Sequence, residues 1–167
     1  LTGCMPMDLP QLNFPAHPLH IVEDSAGLRI FDPVRRRLVA LTPEEWVRQN
    51  MLAYMLQDLG YPLHLLSVEH SLKWQTRSRR CDIVLFMKNM QAGLIAEIKA
   101  PGVTISHAVL RQVIRYNQSF RAPFLLLTNG IQHYSMLISD NPDEEPTYLD
   151  HYPDYNRILA HGPTLKQ

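Results

Sequence analysis

Hydrophobic and polar residues are patterned differently in successive parts of the chain, and these changes predict where its elements lie. Residues 1–20 contain prolines at 6, 10, 15 and 18 among isolated apolar residues, which predicts an extended arm without regular elements. The length of the remainder, residues 21–167, predicts that it forms a single domain. Near its start, two β-prone runs in GLRIFDPVRRRLVAL lie on either side of Asp32 and Pro33, which predicts an N-terminal hairpin.

Two segments carry apolar residues at helical spacing. In TPEEWVRQNMLAYMLQDLGYP, Thr42 suits the N-cap, Pro43 suits the first helical position, and Glu45 completes a capping box. The second predicted helix runs from Ser106, as its cap, to Ser119. The residues that define the two helical faces are Val47, Met51, Met55 and Leu59 in the first, and Val109, Leu110, Val113, Ile114 and Asn117 in the second.

Short apolar runs predict strands around the second helix. HLLSVEHSLKW, CDIVLFM and GLIAEIKA precede it, and the last two are joined by the short turn KNMQ, which predicts antiparallel neighbours. Both are apolar on both faces, as central strands are. FLLLTNG and IQHYSMLI predict a strand, an Asn-Gly turn and a strand, and the tail from Asn141 predicts loop with one short helix. The order indicates an α/β (α+β) domain with a mixed β-sheet flanked by helices.

Composition limits the classes of function. The chain is 46% hydrophobic and 19% charged, which is typical of a folded globular protein. Its 16 basic and 16 acidic residues cancel, so binding to nucleic acid must depend on a local cluster of basic residues. Taken singly, each arginine cluster is better explained as a solvated face. The clusters are Arg35, Arg36 and Arg37; Arg77, Arg79 and Arg80; and Arg111, Arg115 and Arg121.

Cysteine and histidine usage excludes other classes. Two cysteines build neither a disulfide framework nor a paired-cysteine metal site, and they indicate a reducing, cytoplasmic compartment. The eight histidines are scattered, so a zinc site is not expected. No apolar run is long enough to cross a membrane.

Three charged residues on two otherwise apolar strands are candidates for chemistry. Glu97 and Lys99 are two residues apart and project from the same strand face. A turn centred near Met90 would bring Asp82, at the start of the preceding strand, opposite them. Two carboxylates suit Mg²⁺, and an ammonium group beside them can orient water and stabilise charge at a phosphate. The alternative is a simple Glu97–Lys99 ion pair with Asp82 as an unrelated turn residue.

Further residues could join this site. Gln112 and Tyr116 are one helical turn apart at the edge of the apolar face, where they could contact a substrate or simply form an amphipathic boundary. Glu45 could aim its carboxylate at the same site, although capping explains it better by itself, and the two roles would compete for one side chain.

The succession TPEEWVRQ, GYP, VE, RCDIVLF, AEIKAP, LRQVIRYN and APFLLLTNG resembles the PD-(D/E)xK nuclease superfamily. More narrowly, it resembles the N-terminal nuclease domain of type I restriction enzyme R subunits, from about Leu28 to Ile138. The resemblance implies a restriction-endonuclease-like fold. One departure is Cys81, which stands where the name of the motif has Pro.

The resemblance also implies roles for individual residues. Asp82 and Glu97 would bind Mg²⁺, for which Mn²⁺ could substitute, with the backbone carbonyl of Ile98 as a further ligand. Lys99 would position the attacking water. The other implied site residues are Gln112 and Tyr116 as a helix motif, Glu45 as the acidic residue of the first helix and a metal-site residue, Arg48 and Gln49 near it, and Glu69 on the first core strand.

The implied activity is that of a Mg²⁺-dependent deoxyribonuclease, with endonuclease favoured over exonuclease. DNA is the implied substrate, and restriction-modification subunits are the implied partners. The chain contains no Gly-rich phosphate loop ending in Gly-Lys-Ser or Gly-Lys-Thr, so it is not expected to translocate DNA by itself. The alternative is a non-catalytic module that binds nucleic acid or a partner subunit through the same fold.

Overall fold

The computed structural model describes residues 9–74, 77–141 and 143–161. Within these ranges the chain forms two β-sheets and three α-helices. The strands are β1 (Ile21–Asp24), β2 (Gly27–Asp32), β3 (Arg37–Ala40), β4 (Leu66–Trp74), β5 (Arg77–Phe86), β6 (Ala92–Ile98), β7 (Phe124–Thr128), β8 (His133–Leu137) and β9 (Thr147–Tyr148). The helices are α1 (Pro43–Gln57), α2 (His107–Phe120) and α3 (Tyr155–Ala160), with one 3-10 turn at Leu63–Leu65.

The first three strands form a small antiparallel sheet in the order β1-β2-β3. The predicted hairpin is its β2–β3 half, closed by pairing of Asp32 with Arg37. The sequence did not predict β1, a four-residue edge strand that pairs with β2 through a turn before Gly27. Its apolar part is only Ile21 and Val22, which is too short to show alternation.

The larger sheet has the order β4-β5-β6-β7-β8-β9. β6 and β7 are parallel, and α2 lies between them in sequence, as a crossover between parallel strands requires. The other neighbouring pairs are antiparallel. The predictions that β5 and β6 are central antiparallel neighbours and that β7 and β8 form a hairpin are therefore confirmed. The two-residue strand β9 was not predicted.

The sequence suggested that Asp82 begins its strand, and the structure shows that it does not. β5 starts at Arg77 and pairs with β4 from there, whereas its pairing with β6 begins only at Ile83, opposite Ala96. The same register places Asp82 opposite Glu97, where β5 parts from β6. The predicted juxtaposition is therefore correct, although the strand extends further.

The helices cover both faces of the large sheet. Thr42 caps α1 by accepting a hydrogen bond from the backbone N–H of Glu45 at 3.1 Å, and Ser106 caps α2 by accepting one from Val109 at 3.4 Å. α1 and α3 pack on one face and α2 packs on the other, so each face has its own hydrophobic core. The central residues of the first core are Val47, Met51, Met55, Ile83, Leu94, Ile98 and Ile158; those of the second are Val84, Ile95, Leu110, Val113, Leu125 and Leu127.

The described part of the N-terminal arm, residues 9–20, contains no regular element, as predicted. It nevertheless binds the domain closely, because Leu12 is buried in the α1-side core and the backbone N–H of Asn13 donates to the carbonyl of Gly130 at 2.7 Å. The short helix predicted in the tail is α3. Among the described helices, none is long and apolar enough to cross a membrane.

Candidate functional site

Asp82 is held between a strand and a helix. Its Oδ2 atom accepts a hydrogen bond from the backbone N–H of Ile98 at 2.7 Å, and its Oδ1 atom accepts one from Nη2 of Arg48 at 2.8 Å. Because one contact comes from the β6 backbone and the other from α1, the carboxylate lies at the edge of the sheet where β5 and β6 separate. Its orientation is therefore determined from two sides.

Glu97 and Lys99 form a direct ion pair, with Nζ of Lys99 2.6 Å from Oε1 of Glu97. Burial raises the pKa of Glu97, the nearby Asp82 carboxylate raises it further, and Lys99 opposes both effects. Burial alone would lower the pKa of Lys99, but its hydrogen bond to Glu97 and the charges of Glu97 and Asp82 raise it. The pair thus lies near a second carboxylate, which favours the charged form of Lys99.

A cavity of about 260 Å³ opens beside this pair. It offers room for a phosphate group and several waters, since a water occupies about 30 Å³ in the liquid. Gln112 and Tyr116 of α2 face it together, and Nε2 of Gln112 donates to the Tyr116 hydroxyl at 3.2 Å. The lining residues are Arg80, Glu97, Lys99, Val109, Gln112, Val113 and Tyr116.

The structure therefore brings together Glu97, Lys99, Gln112 and Tyr116 around one cavity. Asp82 adjoins this group through the strand register and through its charge effect on Glu97, but it does not line the cavity. Both predicted alternatives are partly realised: the Glu97–Lys99 ion pair exists, and Asp82 is its neighbour and not an unrelated turn residue.

Of the two hydrogen bonds in the predicted capping box, the one that the Glu45 side chain should accept is not formed, so that part of the prediction is wrong. The carboxylate does not return to the backbone N–H of Thr42, which donates to the carbonyl of Ala40 at 3.1 Å. Instead, Oε1 of Glu45 accepts hydrogen bonds from Arg35 at 2.5 Å and from Gln49 at 2.8 Å, and Oε2 accepts one from Arg48. The buried carboxylate is thus occupied by cations and an amide, and the cavity lining does not include it.

Arg48 connects Glu45 to Asp82. Its side chain is 4% exposed, and it bonds Glu45 through Nη1 and both Glu44 and Asp82 through Nη2. Burial lowers its pKa, but the charges of Asp82 and Glu45 outweigh that effect and the pKa is raised, so Arg48 stays cationic. The sequence predicted only that Arg48 lies near the site. The available signal was the spacing of three and four residues from Glu45 and Glu44 on one helix face.

The arginine cluster that contains Arg35 was predicted to be a solvated face, and for Arg35 this prediction is wrong. Its side chain is 14% exposed, and the guanidinium binds Asp32 at 2.7 Å, Glu45 at 2.5 Å and Glu69 at 3.0 Å. Glu69 also pairs with Arg80, a lining residue of the cavity, so the prediction that Glu69 neighbours the site is supported by this chain of contacts. Asp32, fully buried, was missed because it was assigned only to a turn. Side chains of residues 72–79, including Arg77 and Arg79, lie outside the described part of the structure.

The donor groups suit a divalent cation of the Mg²⁺ type. Asp82 and Glu97 supply hard carboxylate oxygens, and Mg²⁺ is commonly held by one or two carboxylates together with water and substrate phosphate. In the described parts of the chain, no group of three or more His, Cys, Asp or Glu side chains is placed to hold a metal. The two carboxylates therefore fit a site in which water and substrate phosphate complete the coordination of the metal. They do not fit a site built from protein ligands alone. Cys81, buried with its pKa raised mainly by burial, is not available as a thiolate ligand.

A family model, described as Type I restriction enzyme R protein N terminus (HSDR_N), matches residues 43–153. The chain belongs to this family. The match covers α1 through the segment before α3 and includes every predicted site residue, whereas the small sheet with Arg35 precedes it.

A solved structure with a similar fold can be compared with this chain. It is described as a fragment of an HsdR subunit of a type I restriction enzyme from Vibrio vulnificus YJ016, and the two align with a TM-score of 0.53 at 14% identity. The alignment covers 73% of this chain but only 25% of that chain, so this protein corresponds to about a quarter of its length. At this identity the likeness is one of fold. A search of curated proteins found no match.

Proposed function

We propose that this chain is a nuclease module of the PD-(D/E)xK type that hydrolyses DNA phosphodiester bonds in a metal-dependent reaction, with cleavage inside strands favoured over cleavage from ends. The supporting observation is the Glu97–Lys99 pair, which faces a cavity opposite Gln112 and Tyr116 while Asp82 lies across the strand register. Membership in the type I restriction R family supports the same reaction class.

Each residue has a role that follows from its position. Asp82 and Glu97, with the carbonyl of Ile98, would hold Mg²⁺ or Mn²⁺, which would supply Lewis acidity and neutralise phosphate charge. Lys99 lines the cavity, where its ammonium group can orient a water and stabilise negative charge on phosphate oxygens.

The remaining residues support this centre. Gln112 and Tyr116 offer an amide and a hydroxyl to a substrate phosphate in the cavity. Arg48 holds Asp82 from outside the cavity, and Glu45 holds Arg48, so Glu45 acts on the site through Arg48. Positioning of this kind shortens the distance between reactants before the reaction begins.

Plasmid digestion tests the proposal. The purified chain is incubated with supercoiled and linear DNA in Mg²⁺, Mn²⁺ or EDTA, and we expect nicked and linear products only with metal. Lys99→Ala should lower the cleavage rate by about a hundredfold or more, because a preorganised charge donor is lost. Lys88→Ala, an exposed lysine in the β5–β6 turn, is the matched control and should cleave normally. Cleavage that survives Lys99→Ala, or no metal-dependent cleavage at all, contradicts the proposal.

A second candidate is a non-catalytic module that binds DNA or other restriction-modification subunits. It is favoured by the charge balance of the site, because Asp82 already pairs with Arg48 and Glu97 with Lys99, so that neither carboxylate needs a metal for neutralisation. Such a module would bind DNA with a steep salt dependence and would tolerate Lys99→Ala. Calorimetric titration with Mg²⁺ distinguishes the two, since only the nuclease should bind the ion.

A further inference from the structure

Two arginines on α2 are exposed to solvent and have no described partner. Arg111 and Arg115 project from the middle of the helix, and within the described ranges neither guanidinium takes part in a hydrogen bond or an ion pair. This separates them from the described arginines around α1, Arg35 and Arg48, which are committed to carboxylates.

The rest of the outer surface of α2 does not offset this charge. The helix sequence, HAVLRQVIRYNQSF, contains no acidic residue. Its other exposed positions are His107, Ala108, Gln112 and Gln118. The chain as a whole carries no net charge, so the two positive charges on this helix are a local feature.

Both arginines adjoin cavity-lining residues in sequence, although they do not line the cavity themselves. Arg111 immediately precedes Gln112 and Arg115 immediately precedes Tyr116, and both following residues line the cavity. Successive residues are about 100° apart around a helix, so each arginine is displaced from its lining neighbour toward solvent. The two arginines are one helical turn apart, with Cβ atoms about 5–6 Å from each other, and form a row along the helix axis.

We infer that Arg111 and Arg115 form a contact row for the sugar-phosphate backbone of the DNA strand whose scissile phosphate enters the cavity. The inference rests on the proposed function, since that function places a phosphate beside Lys99. A polyanion is the ligand that two unpaired guanidinium groups recognise, because each can bind a phosphate through parallel N–H groups. DNA is favoured over an acidic protein because the same helix supplies Gln112 and Tyr116 to the cavity.

The test measures binding without cleavage. A short fluorescein-labelled duplex of mixed sequence is titrated in EDTA with the wild-type chain and with the double variant Arg111→Gln/Arg115→Gln, over a series of salt concentrations. Each lost phosphate contact reduces the slope of log affinity against log salt by about 0.9. We therefore expect the double variant to bind more weakly and its slope to be shallower by about 1.8.

The matched control is Arg36→Gln/Arg37→Gln. It removes the same charge from two exposed arginines in and after the β2–β3 turn, which also lack a described partner. The control should change the slope much less, and circular dichroism should show that both variants are folded. An equal effect of the two double variants, or no effect of the α2 variant, overturns the inference. If the α2 variant binds the duplex normally but binds polyglutamate more weakly than the wild type does, the inference is also overturned, and the face is assigned to an acidic protein.

The outcome is separable from that of the proposed function. The binding titration does not measure hydrolysis. A chain that binds through Arg111 and Arg115 but never cleaves plasmid would therefore overturn the nuclease proposal alone. A chain that cleaves plasmid normally after both arginines are replaced would overturn the contact row alone.

Discussion

At the scale of single residues, the polar interior around α1 is the feature that most affects the candidate site. Arg48 is buried and bridges two carboxylates, because it pairs with Asp82 and shares Glu45 with Arg35. A buried ion pair contributes little compared with a hydrophobic pair of the same shape, but removal of one partner is costly because the other charge remains buried. The arrangement is therefore sensitive to loss of Arg48.

Replacement of Arg48 should destabilise the fold strongly. We expect Arg48→Ala to lower the free energy of unfolding by about 3–5 kcal/mol at neutral pH, because Asp82 then lacks its cation and Glu45 keeps only Arg35. Urea unfolding followed by circular dichroism measures this difference.

Arg157→Ala is the control for this change, because Arg157 is an exposed arginine of α3 whose side chain has no described partner. It should alter the free energy of unfolding by less than about 0.5 kcal/mol. A similar small effect of Arg48→Ala would show that the network does not stabilise the fold.

At the scale of elements, the helix starts and the central strands follow local rules. α1 begins where the Thr42 side chain accepts a hydrogen bond from the backbone N–H of Glu45, and its buried positions are apolar apart from Glu45, Arg48 and Gln49. β5 and β6 are apolar on both faces because α1 and α3 cover one side of the sheet and α2 covers the other. Local signals were sufficient here because each of them reports a bond or a face within one element.

The cap of α1 can be tested apart from the Glu45 carboxylate. Thr42→Ala should lower the free energy of unfolding by about 1 kcal/mol, because one N–H at the helix start loses its acceptor. Thermal or urea unfolding measures the change. Thr104→Ala, an exposed threonine in the loop before α2, is the control and should have almost no effect. Equal effects of the two substitutions would argue against capping by Thr42.

At the scale of the whole molecule, the N-terminal arm joins parts of the domain that are distant in sequence. Leu12 enters the α1-side core, Trp46 donates its indole N–H to the carbonyl of Pro10 at 3.0 Å, and the Asn13 side chain donates to the carbonyl of Ile131 at 2.8 Å. The arm thus contacts both α1 and the β7–β8 turn. An extended segment without regular secondary structure can be part of the folded unit in this way.

Loss of the arm's apolar anchor should therefore weaken the whole domain. Leu12→Ala should lower the free energy of unfolding by about 2 kcal/mol, at the low end of the range for buried leucines. The arm belongs to no helix or sheet, so it can shift to fill part of the space that the leucine leaves. Leu159→Ala, at a leucine that is 44% exposed, is the control and should cost much less. A negligible effect of Leu12→Ala in urea unfolding would show that the arm does not stabilise the domain.

The sequence by itself determined the helices, the central strands, their antiparallel turn and the juxtaposition of Asp82 with Glu97, because periodicity, caps and strand register depend on residues that are close along the chain. It did not reveal β1, β9 or the full length of β5, because short edges and strand starts depend on pairing with neighbours. Only the tertiary structure decided the partners of the buried charges. Glu45 met the local rule for a cap, yet Arg35 and Arg48 bind its carboxylate, since a charge that loses water must take whichever cation the fold brings within reach.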